Sequence, residues 1–135
     1  MTFLDTGGLV AKYTRSDEKH ADALELFELL IRTREPLLTT SLILLEIGDY
    51  FSSVASRSVA VEIRTLLEES SAVRVVRVTP DHERSAWELF ESRRDQSWGI
   101  TDCTSFVVMR EAGCEAAFAK DRHFAQAGFT PLLSD

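Results

Sequence analysis

Four carboxylates stand where apolar segments end or helices begin: Asp5, Glu46, Asp102 and Asp121. Asp5 closes Thr2-Phe3-Leu4 and precedes Thr6-Gly7-Gly8. Glu46 lies inside Leu42-Ile43-Leu44-Leu45-Glu46-Ile47, where an unpaired carboxylate is costly to bury. Asp102 follows Trp98-Gly99-Ile100-Thr101, and Asp121 follows Ala116-Ala117-Phe118-Ala119-Lys120. Such acids could converge at the carboxyl edge of a parallel sheet, where open α/β folds place their sites. Gathered there, they repel one another unless cations neutralise them. Oxygen ligands favour Mg²⁺ or Mn²⁺, one or two per site. The chemistry such a centre suits is phosphodiester hydrolysis.

Each acid also has a structural reading. Asp5 suits a turn or helix cap, and Glu46 could face solvent or pair with an arginine. Asp102 sits where a helix dipole favours negative charge, and Asp121 could simply start a helix. The joint pattern favours a site, although spacing alone does not bring the four together.

The elements around them follow from periodicity and breakers. Residues 2–5 read as a strand, and Gly7 and Gly8 permit a tight strand-to-helix turn before a short helix at 9–13. A helix over about 19–33 has Leu24, Phe27 and Ile31 on one face, with Ala23, Leu26 and Leu30 beside them, and Pro36 stops it. Residues 37–40 form a strand, and Ser41 is a candidate cap for a helix over 42–54. A helix at 56–69 precedes the β-branched strand from Val73 to Val78, bounded by Pro80. A helix from Asp81 to about Arg94 places Ala86, Leu89 and Phe90 inward, with Trp87 also in the core. Thr101 can cap a central helix running from Asp102 to Gly113. A strand at 115–119, a short helix at 123–127 ended by Gly128, and a strand at Pro131-Leu132-Leu133 complete the chain. This order predicts a three-layer α/β/α sandwich with a mostly parallel sheet, in a single domain over 1–135.

The 135 residues are 44% hydrophobic, enough for a core, and no run is long enough to span a bilayer. No signal-peptide pattern opens the sequence, and Cys103 and Cys114 read as free thiols, so a cytoplasmic location is expected. The net charge of −7 argues against a protein that coats nucleic acid with a wide basic surface. It does not exclude a nuclease, since two divalent ions would offset more than half of that charge.

Several residues could assist. Thr6 and Thr101 adjoin two of the acids and could orient a carboxylate or hold a water; turn and cap roles explain them equally. Lys12, Arg15, Lys120, Arg122 and His123 could contact phosphate, or be ordinary surface charge. Asp49 could share the helix face of Glu46. His20 and His82 have no metal-ligand spacing. Trp98 could stack on a base, with packing the alternative.

Two stretches resemble the PIN-domain family, above all the small toxin ribonucleases of the VapC type. They are Gly99-Ile-Thr-Asp-Cys-Thr-Ser-Phe-Val-Val-Met109 and Ala119-Lys-Asp-Arg-His-Phe-Ala-Gln-Ala-Gly-Phe129. Phe3-Leu4-Asp5-Thr6 and the helix-borne Glu46 complete the family's acidic quartet, and Thr101 matches the hydroxyl residue often found before the third acid. One departure is Gly7, where toxin members commonly carry serine. The resemblance implies a four- or five-stranded central sheet and a Mg²⁺- or Mn²⁺-dependent endoribonuclease, with Asp5, Glu46, Asp102 and Asp121 at the metals. It further implies RNA as substrate, a homodimer, and a small antitoxin whose tail occupies the groove. Competing readings are a stand-alone PIN ribonuclease, a catalytically silent interaction domain, and a phosphoacceptor domain. The last needs an acidic pair after the first strand and an acceptor Asp after a central one, which Asp5 and Thr79-Pro80-Asp81 match poorly.

Overall fold

A computed structural model describes residues 1–135. Five strands form one sheet: β1 (Thr2–Leu4), β2 (Leu37–Thr40), β3 (Val73–Val76), β4 (Ala116–Phe118) and β5 (Thr130–Pro131). Every pairing is parallel, and the order is β3-β2-β1-β4-β5. The connections carry α1 (Thr6–Tyr13), α2 (His20–Arg32), α3 (Ser41–Tyr50), α4 (Arg57–Glu69), α5 (Pro80–Ser92), α6 (Ile100–Ala112) and α7 (His123–Gln126). Helix α1 packs on α2 and α3, and α3 on α4; α5 packs on α6, which also meets β2 and α7. The result is the expected three-layer sandwich, with five strands rather than four.

Burial explains the strand sequences. β1 and β2 are buried along their whole length, so they read as continuous apolar or threonine runs without alternation. Thr39 lies in that interior because its hydroxyl donates to the Leu4 carbonyl at 2.9 Å. β5 is an edge strand over Thr130–Pro131, not the expected Pro131–Leu133, and it stops at the proline. The core is a continuous cluster that includes Phe3, Leu38, Ile43, Ile63, Phe106, Phe118 and Phe124.

The helix boundaries correct several expectations. α1 begins at Thr6, not Leu9, because Asp5 caps it by accepting from the Gly7 N–H. Thr40, not Ser41, caps α3, and the Ser41 hydroxyl instead accepts from the Val78 N–H. α3 ends at Tyr50 rather than 54, where Ser53 and Ser56 close a hydrogen-bonded turn. Thr79 caps α5 in a reciprocal box with His82. Gly99 precedes α6, so Thr101 is not its cap; the Asp102 carboxylate takes the Gly99 N–H at 3.0 Å. Gly113, at φ 70°, ends that helix in the left-handed conformation.

Two helix faces also differ from expectation. On α2 the buried residues are Ala23 and Leu30, while Leu24 and Ile31 point outward. On α5 Ala86 is buried, but Trp87 and Phe90 are 57% and 43% exposed. Trp98 packs inside, edge-to-face on Phe106 at 5.1 Å. Both cysteines are free and buried. No helix is long and apolar enough to cross a membrane.

Candidate active site

Strand order decides where the acids meet. The chain adds β2 and β3 on one side of β1, then β4 and β5 on the other. The crevice between the carboxyl ends of β1 and β4 is therefore the topological switch point. Asp5 leaves β1 there, and its N–H donates to the Phe118 carbonyl of β4 at 3.3 Å. Gly8 makes the close approach of α1 possible. A Cβ at that position would lie 2.1 Å from the Phe118 oxygen, so only glycine fits.

Glu46 enters from α3, which follows β2. Its carboxylate accepts from the Thr6 hydroxyl at 2.6 Å, tying the first turn of α1 to α3. Thr6 thus orients a carboxylate, one of its two expected roles. Helix α6 runs down into β4, so its first turn carries Asp102 to the same edge. There Asp102 Oδ2 meets His123 Nδ1 at 3.0 Å. Asp121, just beyond β4, accepts from the His123 N–H at 2.9 Å and places its other oxygen 3.3 Å from Nδ1. Ligand atoms of Asp102, Asp121 and His123 all lie within 4.8 Å of one another.

The electrostatics tie Asp5 to this group. Its carboxyl is pushed up to about 7, chiefly by burial and then by the charges of Asp102 and Glu46; the Gly7 and Thr6 N–H groups oppose the shift. The Cys103 thiol is raised by burial and by neighbouring Asp102. A set of carboxylates in which one already resists ionisation fits a divalent cation. The donors are oxygens plus one imidazole, a combination that Mn²⁺ and Mg²⁺ sites accept.

The remaining candidates divide. Thr101 lies in the first turn of α6, half-buried. Arg15 and Arg122 are exposed, and Asp49 is exposed on α3. Lys12 does not join the acids. Its ammonium sits over the rings of Tyr13 at 4.1 Å and Phe27 at 4.8 Å, among residues of α1, α2 and α4. That position is too apolar for a phosphate contact, and burial lowers its pKa. Lys120 extends along Gly7, and its ammonium bonds Asp17 at 2.6 Å. This contact holds the Asp17 carboxyl below its usual range. Asp17 is absent from the sequence candidates because it lies in a polar turn with no local mark of function. Asp81, the acid a phosphoacceptor would need, is exposed and paired with Arg84 at 2.7 Å.

Comparison with known proteins agrees with this fold. The PIN domain family model matches residues 2–130. The 23S rRNA-specific endonuclease VapC20 of Mycobacterium tuberculosis, found in two strains, is 32% identical over 134 residues, 98% of each chain. The crystal structure of Mycobacterium tuberculosis VapC20, described as a sarcin–ricin loop cleaving toxin, superposes with a TM-score of 0.83 at 30% identity, covering 96% of this chain and 97% of that one. The chain belongs to the PIN-domain family, and its likeness within it is to the VapC-type toxin endonucleases.

Proposed function

We propose that this chain is the RNA-cleaving toxin of a toxin–antitoxin pair, a Mg²⁺- or Mn²⁺-dependent endoribonuclease that uses Asp5, Glu46, Asp102 and Asp121. One observation supports the reading: Asp102 and Asp121 meet at His123 beside the β1–β4 switch point, and Asp5 is pushed up to about 7 by burial and then by the charges of Asp102 and Glu46. Asp5 and Asp102 are the direct ligands, Glu46 ligates directly or through water, and Asp121 completes the rim or orients a water.

A bound cation would lower the pKa of water and stabilise charge on the leaving oxygen. The chain's own groups prepare that reaction. Thr6 fixes the Glu46 carboxylate, and the Gly99 N–H fixes that of Asp102. His123 places Nδ1 between Asp102 and Asp121 and so links the two carboxylates. Attack by water leaves a 5′-phosphate and a 3′-hydroxyl. Arg15 and Arg122 remain available for backbone phosphates.

The relative's target makes a structured ribosomal RNA loop the first substrate to test. Leu45, Tyr50, Val54 and Leu66 leave apolar surface on α3, α4 and their connection, suited to a homodimer partner or an antitoxin. An antitoxin tail bearing Arg or Lys would compete with metal for the acids. The deciding experiment is cleavage of a ribosomal RNA loop with Mn²⁺ and with chelator, by wild type and Asp5→Asn. Cleavage by wild type with Mn²⁺ alone is expected. Equal cleavage by Asp5→Asn, or cleavage in chelator, would sink the proposal.

A further inference from the structure

The largest cavity in the molecule is not between the acids but beside them. It encloses about 600 Å³ between α5 and the first turn of α6, within the roughly 300–1,000 Å³ of small-ligand sites. Trp87, Phe90, Arg93, Arg94, Trp98 and Cys103 line it, with Glu91 at the rim. Trp98 and Cys103 flank Gly99 and Asp102 in sequence, so part of the cavity wall comes from the same turn of α6 that carries Asp102.

Its walls offer flat aromatic faces and one unpaired cation. Trp87 and Phe90 meet edge-to-face at 5.6 Å, yet both remain exposed, leaving aromatic surface uncovered. Opposite them, the Arg93 guanidinium lies over the Trp98 ring at 4.8 Å. Asp95 clamps it there through two bonds of 2.9 and 3.0 Å. Arg93 is therefore held in place before any ligand arrives, with one face on Trp98. Arg94, next along the chain, is exposed and has no carboxylate partner. Aromatic faces and arginine planes are the groups on which unpaired bases stack, and a free guanidinium suits the adjoining phosphate.

We infer that this cavity receives an unpaired nucleobase of the RNA next to the scissile phosphate, stacked on Trp87 and Phe90, with Arg94 on its phosphate. A second copy of the chain is the competing occupant of the exposed aromatic pair. The unpaired Arg94 and the place of Cys103 beside Asp102 in the first turn of α6 favour RNA, because an apolar dimer face has no use for a free guanidinium there.

The inference rests on the endoribonuclease reading, and the test separates the two. An RNA hairpin that wild type cleaves in its loop is assayed at saturating Mn²⁺ with Trp87→Ala, Phe90→Ala and Trp87→Phe. Both alanine variants should raise KM roughly five- to one-hundred-fold, the range expected for one lost stacking partner. Trp87→Phe should recover most of the loss. Melting temperature, Mn²⁺ affinity and the mass in light scattering should not move. In chelator, the hairpin should quench wild-type tryptophan emission. KM values within twofold of wild type would overturn the inference, as would a fall in molecular mass in Trp87→Ala, which assigns the face to a second copy. Failure of wild type to cleave any RNA overturns the nuclease reading and this inference with it. Wild-type cleavage with unchanged variants overturns this inference alone.

Discussion

The Thr6 hydroxyl donates to Glu46 across 2.6 Å, joining residues forty positions apart. Thr6 sits in the turn of helix that Asp5 caps, so one short segment supplies an acid and fixes a second. Removing the hydroxyl should leave the fold intact while freeing Glu46 to rotate. We expect Thr6→Val to lower Mn²⁺ affinity or cleavage about 10- to 100-fold, the usual cost of losing a group that orients a ligand. Thr6→Ser should retain most activity. Calorimetric Mn²⁺ titration and cleavage rates check this, and a fully active Thr6→Val would assign the bond to structure alone.

The adjacent glycines should behave in opposite ways. Gly8→Ala drives a Cβ into the Phe118 carbonyl at 2.1 Å, so it should destabilise by about 3 kcal/mol or more. A side chain at Gly7 would meet only ordinary contacts, 3.4 Å to Lys120 and 3.5 Å to an Asp5 oxygen. Gly7→Ser should therefore be tolerated and gain a few tenths of a kcal/mol from helix propensity. Urea melts of both variants decide the matter; a stable Gly8→Ala would contradict the close approach of α1 to β4.

Asp102→Asn should abolish cleavage and leave melting nearly unchanged. The amide can still accept from the Gly99 N–H and cap the turn, but it lacks the charge that holds a hard cation. A purely structural Asp102 predicts only the roughly 0.3–1 kcal/mol of a helix-dipole contact. An active, metal-dependent Asp102→Asn would remove this residue from the catalytic group.

Asp5 makes a pH prediction with a definite sign. Its carboxyl is raised from 3.8 to about 7 in the folded chain. Between those values the folded state binds a proton that the unfolded state has lost. Stability without metal should therefore fall as pH rises from about 4 to 7, and level off above that. Asp5→Asn should remove this component of the pH dependence. Mn²⁺ should stabilise wild type more at pH 8 than at pH 6, because binding must displace the proton. Melting in chelator and in Mn²⁺ across this range tests it, and identical pH profiles for wild type and Asp5→Asn would refute it.

The sequence by itself determined the order of elements and singled out the four acids as candidates. These are local matters. Gly113 stops α6 through its left-handed backbone, β-branched runs mark strands, and an acid at a strand end is visible without knowing what lies beside it; α2, by contrast, ends well before Pro36, with Arg34 at φ 57°. Periodicity set the direction of the apolar stripes but not their edges. Leu24, Ile31, Trp87 and Phe90 satisfy helical spacing and still face outward, because the width of a buried stripe depends on the neighbour that covers it. Caps moved by a residue or two wherever a hydroxyl found a better partner, as Ser41 did with Val78. Only the tertiary structure decided that β4 lies beside β1, and this pairing brings Asp5 to the edge where Asp102 and Asp121 meet His123. It alone placed His123 between Asp102 and Asp121, sent Lys12 onto aromatic rings, and set Arg93 over Trp98. These contacts join segments distant in the chain, so no local propensity specifies them; strand pairing and helix packing do.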